Sequence, residues 1–310
     1  MKSGSMVTGS SSSLDMRKKG NEGEEDIFSK LPEFVVGHIL SLLPTKDAVR
    51  TSVLSKSWVS RWTFVNKLDL DDSVFYSPKK KTCGEQCFID FVNRALLLTK
   101  SSSLDSFSLV IEFTYCGYGL WQPIVLSDPS VAHNASANII IDQPVIGPTG
   151  YRAIMLLKQF SQVKHLKFDG SQVSTLKGVA GLPVFGMLSH LELGLVTAAV
   201  LLGLLLKSPV LETLHFKGIF CFEQELLNSA VVPGCLGTTL RVVKFDNVSG
   251  LEHELCLAKF LMENGGVLER MSFSLESEWL GKSKMIEEFK KKLFSFKKPF
   301  SLAIVEFSND

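Results

Sequence analysis

Two spacings of apolar residues divide this chain. Between Leu31 and Trp62 the apolar positions recur at helical intervals, whereas from Val163 onward they alternate in short strand-like pieces. In the first region Val36, Ile39, Leu40 and Leu43 form one stripe over two turns. Pro32 sits where a helix begins, since its missing N–H costs nothing at the first helical position. Pro44 stops that helix, because its ring disfavours helical geometry at the residue before it. Thr45 is placed to N-cap a second helix through Ala48, Val49 and Val53. Ser55 is placed to cap a third, in which Trp58 and Trp62 stand four apart and face the same way. A unit of this size cannot enclose its own core, because domains below roughly 40 residues usually need staples or a partner. It must dock on something.

The second region repeats. Alternating pieces recur as VKHLKF (Val163–Phe168), LSHLELG (Leu188–Gly194), LETLHFKGI (Leu211–Ile219), LRVVKFDNV (Leu240–Val248) and LERMSFSL (Leu268–Leu275). Their central apolar positions are Leu166, Leu191, Leu214, Val243 and Met271, in steps of 25, 23, 29 and 28 residues. These fall within the period of leucine-rich repeats, about 20–29 residues. Each piece alternates as a strand with one buried face does. Helical pieces lie between them, clearest at Thr197–Lys207 and Glu254–Asn264. One strand and one helix per repeat stack into a curved solenoid with a parallel sheet. On period alone, a compact α/β domain with coincidental spacing stays open.

Other stretches narrow the reading. Leu193 to Leu206 is wholly apolar apart from Thr197, but it is shorter than the roughly 18 residues a membrane span needs. It reads as a buried core helix that Pro209 ends. From Thr114 to Gly150 no period is visible, and Pro123, Pro129, Pro144 and Pro148 mark loop; the alternative is that Trp121, Ile124, Val125 and Ile139–Ile141 form extra strands of a divergent repeat. Residues 1–25 are rich in Ser, Gly and charge and read as a disordered tail.

Charge is nearly balanced, with 33 Lys and Arg against 32 Asp and Glu, so no nucleic-acid footprint is expected. Six cysteines are scattered without a disulfide framework, and no secretory segment opens the chain, which favours a reducing compartment. Cys83 and Cys87 form a lone C-x₃-C, short of the four ligands a structural metal needs. Asn134-Ala135-Ser136 fits a glycosylation sequon by chance. The histidines His38, His133, His165, His190, His215 and His253 are dispersed. The stretch from Gly178 to Gly186 lacks the ending of a phosphate loop. Cys235 beside Gly234 has no identifiable base to activate it. Phe289–Lys298 reads as an amphipathic helix burying Phe289, Leu293 and Phe294 or Phe296. Neither cofactor nor catalysis is expected.

The N-terminal pattern resembles an F-box in its plant form: Leu31-Pro32, Ile39-Leu40-Ser41, Leu43-Pro44, Lys46-Asp47, Val49-Arg50-Thr51-Ser52, Leu54-Ser55-Lys56 and Trp58 through Trp62. Asp69–Asp72, Cys87–Leu98 and Phe107–Leu109 resemble the segments that join F-box to repeats in plant F-box/leucine-rich-repeat proteins. Leu205–Leu214 is similar to their later repeats. Val232–Leu236, Leu240–Lys244, Glu254–Asn264 and Val267–Met271 are similar to their C-terminal FBD domain. Several repeats of the family look missing or replaced between Thr114 and Gly150.

The resemblance implies a three-helix F-box followed by a leucine-rich-repeat solenoid with parallel strands, an α+β or α/β chain. Its divisions are tail 1–25, F-box 26–72, linker and first strands 73–113, irregular insertion 114–150, repeats 151–231 and FBD-like repeats 232–310. It implies a non-catalytic adaptor of a Skp–cullin–F-box ubiquitin ligase. Leu31, Pro32, Ile39, Leu40, Leu43, Val53, Leu54, Trp58 and Trp62 would hold the Skp-type adaptor, and through it a cullin. The repeats would hold an unknown substrate protein, in the cytoplasm or nucleus, with no nucleic acid or membrane. The alternative is a regulatory interaction protein whose incomplete repeats recruit nothing for degradation.

Overall fold

The computed structural model describes residues 31–54, 56–75, 84–101, 104–112, 131–142, 149–170, 179–221, 231–275, 283–296 and 303–309. Nine strands form one sheet: β1 (Lys67–Asp71), β2 (Leu104–Ile111), β3 (Val131–Ile141), β4 (His165–Asp169), β5 (His190–Thr197), β6 (Thr213–Cys221), β7 (Val242–Val248), β8 (Arg270–Leu275) and β9 (Ile304–Asn309). Their order in space is their order in sequence, and every neighbouring pair is parallel. Parallel neighbours require a crossover at each step. Helices supply many of them: α3 (Gly84–Leu98), α4 (Thr149–Gln159), α5 (Ala198–Leu206), α6 (Gly234–Thr238), α7 (Glu252–Asn264) and α8 (Ser283–Ser295). Two short helices, α1 (Glu33–Ser41) and α2 (Thr45–Arg50), precede the sheet.

The repeat alignment read from sequence is the register of the sheet. Leu166 pairs with Leu191, Leu191 with Leu214, Leu214 with Val243, and Val243 with Met271. Leu68, Phe107 and Ala137 continue that row to the first strand. Two residues on, a parallel row runs through Leu70, Leu109, Ile139, Phe168, Leu193, Phe216, Phe245, Phe273 and Phe307. All but the edge members Val305 and Phe307 are buried. Phe216, Phe245, Phe273 and Phe307 stack in series, with ring centroids 4.5, 4.6 and 5.1 Å apart. Such pairs each add about 0.5–1.5 kcal/mol beyond the area they bury. Phe160 just after α4 meets Phe107 at 4.7 Å, and Phe289 of α8 meets Phe273 at 5.6 Å, so the helices cover this face.

Three expectations need correction. The stretch 114–150 is not an irregular insertion throughout, because β3 spans Val131–Ile141 and joins β2 to β4. Ala135, Ala137, Ile139 and Ile141 alternate into the core, a period hidden because two of the four are small. Residues 114–130 and 143–148 lie outside the described residues. The apolar run Leu193–Leu206 is not one helix: β5 continues to Thr197, and α5 starts at Ala198. The helix is mostly buried and the outward strand position Leu195 is itself apolar, so the run carries no period to separate them. Thr197 marks the joint, its Oγ1 accepting from the Val200 N–H at 3.3 Å.

The third correction is at the N-terminus. Pro44 takes the cap position of α2, and Thr45 is its first residue. The Thr45 hydroxyl instead accepts from the Asp69 N–H at 2.7 Å, tying α2 to β1. In place of a third α-helix come 3₁₀ turns at Thr51–Val53, Lys56–Trp58 and Arg61–Phe64. Ser55, the expected cap, lies outside the described residues. Val36, Leu40, Ala48, Trp58 and Trp62 are buried in the same core as the sheet. The helical unit therefore docks on the edge of its own chain. Cys87 is exposed on α3, Cys83 lies outside the described residues, and α8 buries Phe289 and Leu293 while Phe294 faces out. Among the described residues no helix is long and apolar enough to cross a membrane.

Asp72 lies at this junction, just past β1, and is buried with 1% of its surface exposed. Its Oδ2 accepts from the Glu112 N–H at 3.0 Å, while Oδ1 is buried with no hydrogen-bond partner among the described residues. Burial pushes this carboxyl up to about 6, Asp71 and Glu112 add to the push, and the donated Glu112 N–H only partly offsets it.

Two outcomes follow for stability. Phe216→Ala removes a fully buried ring from the middle of the stack and is expected to cost about 3–5 kcal/mol in urea unfolding. An effect below about 1 kcal/mol would show that the stack does not hold the sheet. For Asp72 the folded value lies above the unfolded one of 3.8, so its contribution is full below that pH and is lost as pH rises through about 6. Asp72→Asn is expected to raise stability at neutral pH by roughly 2 kcal/mol and to change it little at about pH 4. Thermal melts of both proteins across that range measure it, and parallel pH profiles would refute the assignment.

Candidate functional site

The N-terminal unit turns one apolar side inward and leaves another outside. On α1 the inward stripe is Val36 and Leu40, four residues apart, so Phe34, Ile39 and Leu42 cannot reach the core. After α2 the tight 3₁₀ turns place Val53 and Leu54 outward, 86% and 69% exposed. Val59 and Phe64 are exposed as well. Of the nine residues singled out from the sequence, Ile39, Val53, Leu54 and Pro32 are exposed. Leu31 and Leu43 are half-buried and packed on the core, whereas Leu40, Trp58 and Trp62 are fully inside it. Phe34, Leu42, Val59 and Phe64 were not singled out; the available signal was that each lies off the buried stripe. Lys46 of α2 lies over the Phe75 ring at 4.1 Å and donates to the Val74 carbonyl, fixing this unit against the turn after β1.

The second surface is the sheet face that carries no helix. Its residues alternate with the buried rows and are polar. One row runs Ser106, Ser136, His165, His190 and Thr213, and the next runs Asp69, Ser108, Asn138, Lys167, Glu192, His215 and Lys244. Between them lies a groove of about 340 Å³, lined by Ser136, Asn138, His165, His190, His215 and Lys244 among others. Lys167 pairs with Glu192 at 2.5 Å, Lys217 with Asp169 at 2.7 Å, and His215 with Asp246. The hydrogen bond that the Lys217 ammonium donates to Asp169 raises its pKa above the usual range. The three repeat histidines, dispersed in sequence, are thus brought onto one face, and His165 and His190 meet with ring centroids 4.4 Å apart. His38 on α1 and His253 on α7 are not on that face.

The chemistry of an enzyme is not assembled among the described residues. Cys235 is buried, its Sγ donates to the Leu205 carbonyl at 3.5 Å, and burial pushes its thiol up to about 11. It is a core thiol, since the nucleophile is the thiolate. No group of three or more His, Cys, Asp and Glu is placed to hold a metal ion among the described residues. Gly178, the first residue of the glycine stretch, lies outside them.

Comparison with known proteins identifies both ends of the chain. The F-box domain model matches residues 28–69, and the FBD model matches residues 228–273. An F-box/LRR-repeat protein of Arabidopsis thaliana is 51% identical over 89 residues, 29% of this chain and 23% of that protein. A second is 52% identical over 89 residues, covering 19% of its length. A putative F-box protein of the same plant is 46% identical over 91 residues, covering 20% of its length. The matched segments thus span about a fifth of these relatives. With an F-box match at one end, an FBD match towards the other and F-box/LRR-repeat relatives in Arabidopsis, the chain is similar to plant F-box/leucine-rich-repeat proteins that carry an FBD domain.

Proposed function

We propose that this chain is a substrate-recognition adaptor of a Skp–cullin–F-box ubiquitin ligase. The observation that carries the reading is an F-box whose outward side is apolar at Phe34, Ile39, Leu42, Val53 and Leu54. Exposed apolar side chains gathered in one short segment favour a protein partner. In this reading α1, α2 and the 3₁₀ turns are the three-helix F-box and grip a Skp-type adaptor, which links to a cullin. The nine sequential parallel strands, with a crossover at each step, are a leucine-rich-repeat solenoid running from residue 67 to 309. Its polar face receives the substrate protein, in the cytoplasm or nucleus. Ubiquitin transfer takes place on other chains, and this one supplies effective concentration and orientation.

The buried members of the expected set, Leu40, Trp58 and Trp62, support the interface from beneath, while Ile39, Val53 and Leu54 make the contact. Val53→Ala with Leu54→Ala is therefore expected to leave the thermal melt unchanged and to weaken binding of a purified Skp-type adaptor about 30-fold, a loss of about 2 kcal/mol. Unchanged affinity in a calorimetric titration would refute the interface. Partner turnover separates the alternatives. Adaptor and cullin co-purification with a stabilised partner after F-box deletion supports the ligase reading, whereas adaptor binding without any change in partner lifetime supports a regulatory protein.

A further inference from the structure

Four positions on the polar face are not accounted for by the ion pairs that neutralise the rest of it. Lys244 lines the groove and makes no ion pair among the described residues. His165 and His190 touch across β4 and β5, with the His190 Nδ1 at 2.8 Å from the Ser189 hydroxyl. Asn138 donates through Nδ2 to the Ser108 hydroxyl at 3.2 Å, but its Oδ1 is buried with no hydrogen-bond partner among the described residues. The groove thus offers a lysine with no ion pair among the described residues and two imidazoles in contact.

We propose that this groove seats an acidic side chain of an extended protein segment, and that His165, in ring contact with His190, takes up a proton as the carboxylate enters. The carboxylate supplies the counter-charge that Lys244 lacks among the described residues. The identity of the partner rests on the adaptor reading above, whereas the chemistry of the groove does not.

The neighbours of the pair set the sign. Lys164 and Lys167 flank His165 on β4, and Lys167 is already engaged by Glu192 of β5. From β3 the pair faces Ser136 and Asn138, which are uncharged, and from β6 Thr213 and His215, the latter held by Asp246. Partial burial against the sheet lowers His165 below the usual imidazole range, and His190 and Lys164 lower it further. The empty groove is therefore neutral at His165 near pH 7. An entering carboxylate favours the protonated ring, so affinity rises as pH falls.

The test uses the full chain and a fluorescein-labelled, N-acetylated hexaglutamate peptide read by fluorescence polarisation. Affinity is expected to rise about tenfold between about pH 7.5 and about pH 5.5. His165→Gln with His190→Gln is expected to flatten that dependence, and Lys244→Ala to weaken binding several-fold at both pH values. On peptide addition the His165 ring titration, followed by NMR, shifts to higher pH. No binding, a flat profile in the unaltered chain, an unchanged slope in the double variant, or competition by inorganic phosphate as strong as by unlabelled peptide would each overturn the proposal. Adaptor binding measured on the same samples keeps the two readings apart. Peptide binding without adaptor binding sinks the ligase role alone, and the reverse sinks the groove alone.

Discussion

Everything in this chain hangs on a register in which each strand offers the same two apolar positions to its neighbours. Because the ladder is parallel and in sequence order, an apolar residue at one position always meets its counterpart in the next repeat. Leu166 meets Leu191 and Phe168 meets Leu193, with no offset to absorb a mistake. A slip of one residue in any strand would turn two core side chains onto the opposite face. The Phe216–Phe245–Phe273–Phe307 stack shows how the C-terminal repeats use the constraint, since one ring type at one position fills a continuous layer under α8.

That register also frees a surface. Parallel sheets are generally covered on both faces and read as continuous apolar runs. Here the strands alternate, and the face opposite the helices carries serine, asparagine, histidine, lysine and glutamate. Its ion pairs are half exposed, and such pairs contribute roughly 0–1 kcal/mol each. They do not hold the sheet together. What they do is leave a face that is polar, nearly neutral and fixed by the backbone beneath it, which suits recognition of another chain. Where β6 ends, an extra residue between Ile219 and Cys221 shifts its register against β5, and the polar rows are most regular from β3 to β7.

Much of this was legible in the sequence because the repeats announce themselves by period. The five strands from β4 to β8 were placed by alternation, and their pairing followed from aligning Leu166, Leu191, Leu214, Val243 and Met271. β3 was legible only as an alternative, through the isoleucines at 139–141, because alanine at 135 and 137 weakens the apolar signal while prolines on either side suggest loop. The joint inside Leu193–Leu206 was missed because a mostly buried helix follows a strand whose outward Leu195 is itself apolar. Among the site residues, the sequence identified the F-box but could not separate Leu40, Trp58 and Trp62, which face inward, from Ile39, Val53 and Leu54, which face out. That division depends on the sheet edge against which the unit packs. The histidine pair was invisible for a related reason, since residues 165 and 190 become neighbours only through the ladder.

The junction between the two surfaces has its own physical meaning. Thr45 is spent not on capping α2 but on the Asp69 N–H, Lys46 reaches Val74 and Phe75, and Asp72 holds the Glu112 N–H at the end of β2. Each bond joins the helical unit to β1, or β1 to β2, rather than stabilising a helix internally. Trp58 and Trp62 add large apolar area to the same joint. The consequence is that α1 and α2 are carried by the sheet and not by a flexible tether. For the adaptor role proposed above this matters, because a tethered unit contributes only concentration, whereas a docked one also fixes direction. A buried Asp72 Oδ1 with no hydrogen-bond partner among the described residues is costly at such a joint, and the other oxygen of the same carboxylate ties the end of β1 to the end of β2.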